Sequence, residues 1–291
     1  HRHYRRQRQM CIRDRLIAMA TIGGLLGPVI GGVTYTLGPE YAFIGLSVIT
    51  AAIIPLVYVT TKELGSGGEP AQGSVPLRVF IQNPVLFRIG LLVMMTTLAT
   101  GALEAGVPLF LKDNLGLNSA WIGAVLLVMV VAQGAGGWIW GRLVDKNGPV
   151  KYMTFGWYLV TAAMLAAGYV AHTISDAVMA AYAIIVILGI FQFAISAAQV
   201  PMLPMVDTAT SQVYGKGGAG LAFGAFGTAW AAGTIVGPMV IGPVFDYTNS
   251  WGITLGILAI PMFIGLQITL RNKELLAECY NAEMSKRFEL E

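Results

Sequence analysis

Gly23-Gly24-Leu25-Leu26-Gly27-Pro28-Val29-Ile30-Gly31-Gly32 returns 210 residues later as Gly233-Thr234-Ile235-Val236-Gly237-Pro238-Met239-Val240-Ile241-Gly242. Gly23, Gly27, Pro28 and Gly32 recur as Gly233, Gly237, Pro238 and Gly242 at one constant offset. Both copies sit inside long runs without a charged side chain. Residues 16–39, 41–61, 114–141, 152–175, 177–206, 217–245 and 247–270 hold no Asp, Glu, Lys or Arg, and 89–111 holds only Glu104. A membrane-spanning helix needs about 20 mostly apolar residues, and all eight runs reach that length. The 291-residue chain is 56% hydrophobic and only 11% charged, less than half the roughly 25% charge of a soluble domain. The reading is therefore a polytopic all-α membrane protein, with spans expected at 16–37, 41–60, 87–111, 118–141, 150–171, 176–205, 217–244 and 250–270. Soluble enzyme, secreted domain, disordered tail and nucleic-acid binder are excluded together.

Six spans separate the two glycine motifs, and a six-helix repeat unit is the half-molecule of a two-bundle transporter. The stretch between the bundles, TKELGSGGEPAQGSVPLRVFIQNPV, is rich in Gly, Pro and Ser and reads as a flexible linker over 61–86. If the first span starts on the cytoplasmic side, the inside segments collect eleven Lys and Arg residues, while the outside loops hold Lys112 alone. That asymmetry places both termini in the cytoplasm.

At these residues the chain resembles the major facilitator superfamily. The 23–32 segment is similar to the glycine–proline motif that the superfamily's antiporters carry on their fifth helix. Gly141-Arg142-Leu143-Val144-Asp145-Lys146-Asn147-Gly148 resembles the family's cytoplasmic loop motif, in its second-half copy. Leu103–Pro108, Met205-Val206-Asp207 and Val213-Tyr214-Gly215 resemble the drug:proton and vesicular amine branch. The resemblance implies that the first span is the family's fifth, so 16–60 would be the last two helices of an N-terminal bundle. Residues 87–270 would then be a complete C-terminal bundle and 271–291 a cytoplasmic tail. Four helices would be absent, and an intact chain would run to about 415 residues at the spacing of the repeat. His1–Arg15, and Met10–Arg15 above all, resembles the translation of a sequencing adapter and is expected to be no part of the native protein. Without it the formal charge changes from +3 to −2, so the basic balance argues for no acidic partner. The amine branch carries acidic residues in its tenth and eleventh helices. Those positions fall here on Ile195 and Ala222, so amine specificity does not carry over.

Candidate functional residues follow from polar side chains in apolar spans. Glu104 is the one acidic or basic side chain in the interior of a span rather than at its end, and such a group marks an ion or substrate pathway by default; it is the expected proton carrier. The alternative is a carboxylate that reaches the headgroups or caps a break near Gly106 and Pro108. Thr97, Thr100, Gly101 and Glu104 fall at i, i+3, i+4 and i+7, a single stripe on one helix. Gln192, Ser196 and Gln199 take i, i+4 and i+7 among Phe191 and Phe193, and Gln133 is the lone amide of its span. The resemblance implies that the helices of Glu104 and Gln192 line a central cavity. Amides among aromatics suit an amphiphilic organic solute, whereas hydrogen bonding between helices is the equally weighted alternative.

Small-residue faces at Gly23, Gly27, Gly31 and Gly32, at Gly134 and Gly137, and at Gly233 and Gly237, with Pro28 and Pro238, read as a seam on which bundles rock or simply pack. The resemblance sets the first of these faces against the fourth span. Gly141, Arg142, Asp145, Lys146 and Gly148 form either a cytoplasmic charge latch or an ordinary solvated loop. Trp121, Trp157 and Trp251 sit near span ends, where interface anchors are expected, and His172 falls in a loop. Two cysteines and three histidines offer no metal cluster. No cofactor, nucleophile–base pair or obligate protein partner is expected. The expectation is alternating-access transport of a small organic solute, by proton antiport in the first instance. A solute:proton symporter and a non-transporting receptor of the same ancestry are the alternatives.

Overall fold

The computed structural model describes residues 27, 30–62, 82–174, 176–214 and 219–288. Among them the backbone is helical throughout, with turns and no strand. The helices are α1 (Pro39–Lys62), α2 (Pro84–Leu115), α3 (Ser119–Asn147), α4 (Pro149–Thr173) and α5 (Ala177–Gln199), then α6 (Met202–Tyr214), α7 (Ala219–Thr248), α8 (Trp251–Gly256), α9 (Ala259–Arg271) and α10 (Lys273–Phe288). Residues 30–35, upstream of α1, are also helical. The adapter-like stretch 1–15, Gly23 and Pro28 lie outside the described residues.

Among the described residues six helices are long and apolar enough to cross a membrane: Pro84–Leu115, Ser119–Asn147, Pro149–Thr173, Val178–Thr210, Gly224–Thr248 and Trp251–Arg271. Their ends are written in the sequence. Asn83 caps α2 by accepting from the amides of Val85 and Leu86, and Asp176 caps α5 by accepting from Val178 and Met179. Such caps satisfy amides that have no partner in the first turn. Gly116 closes α2 in the left-handed region at φ 60°, its N–H on the carbonyl of Lys112.

Proline explains the interruptions. Pro201, without an N–H, separates α5 from α6 within the span Val178–Thr210. Pro261 cannot donate to the carbonyl of Ile257, which instead accepts from Ile260 at 3.0 Å, and the span Trp251–Arg271 is divided there into α8 and α9.

The bundle is organised around two long helices. α2 lies against α7, α9 and α5, while α5 lies against α3 and α4; α4 in turn packs on α8 and α9. The core between them is Leu, Ile, Val, Met and Ala, with Phe191 and Trp157 among its largest fully buried side chains. In lipid such helices are held by close packing rather than by escape from water, so the backbones must approach. At Gly168 an added Cβ would lie 2.8 Å from the carbonyl oxygen of Gly252 and from the Cα of Gly256. At Gly265 it would strike the indole of Trp157.

Trp157 therefore corrects an expectation. It is not an interface anchor but 0% exposed, seated on the bare backbone of Gly265. Its position about two turns into α4 matters less than the glycine opposite, which only the fold brings there. Trp121 is 64% exposed, and Trp251 stacks near the rings of Phe110 and Phe245. His172 belongs to the last turn of α4 rather than a loop, with its Cβ beside Gly252.

α1 differs from the rest. Over residues 39–55 its large apolar side chains are exposed, Phe43 by 70% and Leu46 and Ile54 by 64% each. Gly32 touches the bundle, because a Cβ there would come 2.6 Å from the carbonyl oxygen of Ser119 at the start of α3.

Candidate functional site

Two seams hold the polar residues of the spans, and they are built differently. In the first, α2 and α7 run side by side in the same direction. Gly233 lies on Met94, Thr97 and Leu98, and Gly237 on the backbone of Leu98 and Ala102. A Cβ at Gly101 would meet the carbonyl oxygen of Thr234 at 2.7 Å. Thr97 and Thr100 are buried here, and both bond within their own helix. Thr97 Oγ1 donates to Val93 or Met94, and Thr100 Oγ1 donates to Thr96 at 2.9 Å.

The predicted stripe therefore divides. Thr97 and Gly101 face α7 and Thr100 is buried, while one turn further on Glu104 is exposed beside the exposed Ala105. Pro108, four residues beyond, has no N–H for the carbonyl of Glu104. The carboxylate and this free carbonyl make a local polar step on an apolar helix.

The second seam is α3 on α5. Gly136 opens it, since a Cβ there would lie 2.5 Å from the Phe193 carbonyl and 3.1 Å from Ser196 Cβ. Through that gap Ser196 Oγ donates to the carbonyl of Gln133 at 2.9 Å and Gln133 Nε2 donates to Gln199 Oε1 at 3.2 Å. Trp140 Nε1 donates to the Phe193 carbonyl at 2.9 Å. The structure thus brings together Gln133, Ser196 and Gln199, which lie 63 and 66 residues apart in the chain.

Gln192, one turn before Ser196, is buried, and its carbonyl is a second acceptor for Ser196 Oγ at 3.2 Å. Two side-chain atoms of the row stay unpartnered among the described residues, Gln192 Oε1 and Gln199 Nε2. Buried amide atoms are ordinarily satisfied, so one unused acceptor and one unused donor on one helix are a conspicuous pair. Phe191 turns away from this row into the core, and Ile195 is likewise fully buried.

The remaining glycines of the expected rocking faces have separate surroundings. Gly27, Gly31, Gly134 and Gly137 have open space where a Cβ would stand. Gly32, Gly233 and Gly237 are in close contact, the last two within the bundle.

In the loop motif, Gly141 lies near Val200 and Gly148 takes φ 81°. The Arg142 guanidinium sits over the Trp138 ring, 3.8 Å from its centroid, and Lys146 is exposed. Asp145 Oδ1 accepts a 2.7 Å hydrogen bond from Tyr280 Oη of α10. The tail helix is thereby fixed across the motif, with Leu276, Cys279 and Tyr280 buried beneath it. Burial, helped by the neighbouring Glu278 carboxylate, pushes the Cys279 thiol above its ordinary pKa. Sequence reasoning missed this docking, as it missed Trp140 and Gly136. Only the run Leu275-Leu276, Cys279-Tyr280 at helical spacing signalled a buried face on α10. Among the described residues no group of His, Cys, Asp and Glu could hold a metal ion.

Parallel and antiparallel apolar helices, glycine seams and buried amides define a polytopic membrane protein built on the plan of a helical transporter. The model of the Major Facilitator Superfamily matches residues 15–238, and the chain belongs to that family. It is therefore an integral, multi-pass membrane protein with an all-α major-facilitator fold. It is 23% identical over 238 residues to the MFS-type transporter SLC18B1 of Homo sapiens, covering 77% of this chain and 49% of that protein. To the mouse protein of the same name it is 25% identical over 245 residues, covering 79% and 51%. The chain spans about half the length of the curated relatives it matches.

Proposed function

We propose that the protein is a secondary active transporter that moves a small organic solute by alternating access, exporting it in exchange for protons, with Glu104 as the proton carrier. Family membership and the likeness to MFS-type transporters support the transport reading. The observation that carries the coupling is Glu104 itself. It is the one carboxylate within the apolar part of α2, and its side chain is exposed on the bundle rather than folded into it. A charged group at that depth is costly in contact with lipid. It is retained where it meets a polar path and can shed its charge by taking a proton.

Gln133, Gln192, Ser196 and Gln199 are the solute's hydrogen-bonding row. Gln192 Oε1 and Gln199 Nε2 supply a spare acceptor and a spare donor, which suits a neutral polar group on an otherwise apolar molecule. Thr97 and Thr100 support the helix of Glu104. The close contacts at Gly32, Gly233 and Gly237 set how tightly the moving helices pack, with Pro238 next to Gly237 inside α7. Arg142, Asp145 and Lys146 form the cytoplasmic latch, which here includes Tyr280. On this reading both termini are cytoplasmic.

The test is Glu104→Gln in the protein that carries these residues, reconstituted in vesicles with an imposed pH gradient. Gradient-driven flux should vanish while solute exchange at equal pH persists. Undiminished proton-driven flux would remove Glu104 from the mechanism. The sign of the gradient that drives uptake separates antiport from symport, and a protein without any flux is a receptor of transporter ancestry.

A further inference from the structure

A groove of about 390 Å³ opens between the first turns of α2 and the last turns of α9. It is lined by Arg88 and Leu91 on α2, by Phe263, Ile264, Gln267, Ile268 and Arg271 on α9, and by Asn272 just beyond. These residues are ordered by depth. Arg88 lies in the second turn of α2 and Arg271 is the last residue of α9, so the two helices, which pack on each other, end their spans with a guanidinium each. Leu91 is one turn deeper on α2, and Ile268, Ile264 and Phe263 are one to two turns deeper on α9. Phe263 and Ile264 are half exposed, at 51% and 42%. The lining contains no carboxylate.

We propose that this groove is a binding site for an anionic phospholipid of the membrane in which the protein sits, its phosphate between Arg88 and Arg271 and an acyl chain along Leu91, Ile264 and Ile268. Charge and depth argue for this occupant together. Two arginines at the level of the headgroups attract a phosphate and can grip its oxygens with paired N–H donors. Basic pockets between spans at a membrane face are suited to acidic headgroups. A soluble anion would make no use of the apolar floor. A purely apolar occupant would leave two guanidinium groups without an anion. Gln267 and Asn272 border the headgroup region. The Asn272 amide donates at 2.6 Å to the Ile268 carbonyl, which leaves its own carbonyl oxygen for a headgroup hydroxyl.

The experiment is native mass spectrometry of the purified chain in mild detergent, titrated with phosphatidylglycerol, with phosphatidylcholine and with glycerol phosphate. Phosphatidylglycerol should be retained preferentially, and retention should fall as salt rises. At about 1 kcal/mol for each arginine, Arg88→Gln with Arg271→Gln should weaken retention roughly thirtyfold. Arg88→Lys with Arg271→Lys, which keeps the charges, should stay within about fivefold. Lys112→Gln, at the opposite end of α2, should change nothing. Equal retention of phosphatidylcholine, or retention that ignores salt, would overturn the proposal. So would displacement of the lipid by glycerol phosphate at matched concentration, since the site would then belong to a soluble anion. If the glutamine pair unfolds, the lysine pair and the salt titration still decide the matter.

Discussion

The seam of α2 on α7 and the seam of α3 on α5 use the same device, a glycine against a backbone, for different ends. Between α2 and α7 the glycines bring two helices together with the threonines satisfied at home: Thr97 and Thr100 bond to their own helix, and among the described residues no side-chain hydrogen bond crosses. Between α3 and α5, Gly136 opens a passage and the polar groups cross it, from Ser196 to Gln133 and from Gln133 to Gln199. That row also ends in unpartnered atoms on Gln192 and Gln199. The first seam is complete in itself; the second is left with one acceptor and one donor unmatched among the described residues. On the proposed reading, the unspent hydrogen-bonding capacity of the second seam is what a solute meets, while the spent capacity of the first holds helices together.

The largest expected effect breaks the complete seam. Gly237→Leu would drive a side chain into the backbone of Leu98 and Ala102, atoms that cannot swing aside as a side chain can. Overpacking of that kind costs up to about 3 kcal/mol, and thermal unfolding in detergent should show the loss. Gly134→Leu, where a Cβ meets open space, should stay within about 0.5 kcal/mol. Equal losses for the two would show that glycine contact does not distinguish the seams.

The next effect tests the incomplete seam. Gln133→Leu should cost about 1 kcal/mol, because Gln199 Oε1 loses its donor within a half-buried contact. Gln133→Leu with Gln199→Leu should come close to neutral, since removing both partners leaves neither orphaned. The double variant should nonetheless lose solute binding if the row serves transport. A double variant as unstable as the sum of its parts would mean that the amides are structural glue.

How far the sequence carried this comparison depends on the kind of information. The positions of six of the eight expected spans, those from 87 onward, followed from charge-free runs, because burial in lipid is a property of each segment taken alone. The glycines were harder. Gly134, Gly136 and Gly137 all sit in the run Gly134-Ala135-Gly136-Gly137, and i, i+3 spacing favours the first and last. The one that touches α5 is Gly136, because contact is fixed by the rotation of α3 about its axis, which spacing alone leaves open. The same ambiguity put Phe191 with the cavity residues and divided Glu104 from Thr97 and Thr100. Gln133 and Gln199 were each readable as polar residues in a span, but their pairing across 66 residues is a product of the fold.

The tail helix offers a third seam, shallow and outside the apolar spans, on which the comparison sharpens at smaller amplitude. Tyr280→Phe removes a single bond to Asp145 and should cost about 1 kcal/mol or less, visible as faster proteolysis within 273–288 rather than as a lower unfolding temperature. Cys279 reports the same docking chemically. Burial holds its thiol neutral above the usual pH range for thiols, and Glu278 adds to that. An acid whose folded pKa is raised keeps its proton more firmly in the folded state. Its contribution to stability is therefore fully present below the ordinary thiol pKa of about 8.5 and is lost as pH rises through the elevated value. Maleimide, which reacts with the thiolate, should label Cys279 slowly at neutral pH. Labelling should accelerate on raising the pH, and already at neutral pH in Tyr280→Phe. If alkylation is fast in the unaltered protein at neutral pH, the tail does not rest on the loop motif. The 2.7 Å bond to Asp145 would then be no part of the cytoplasmic latch.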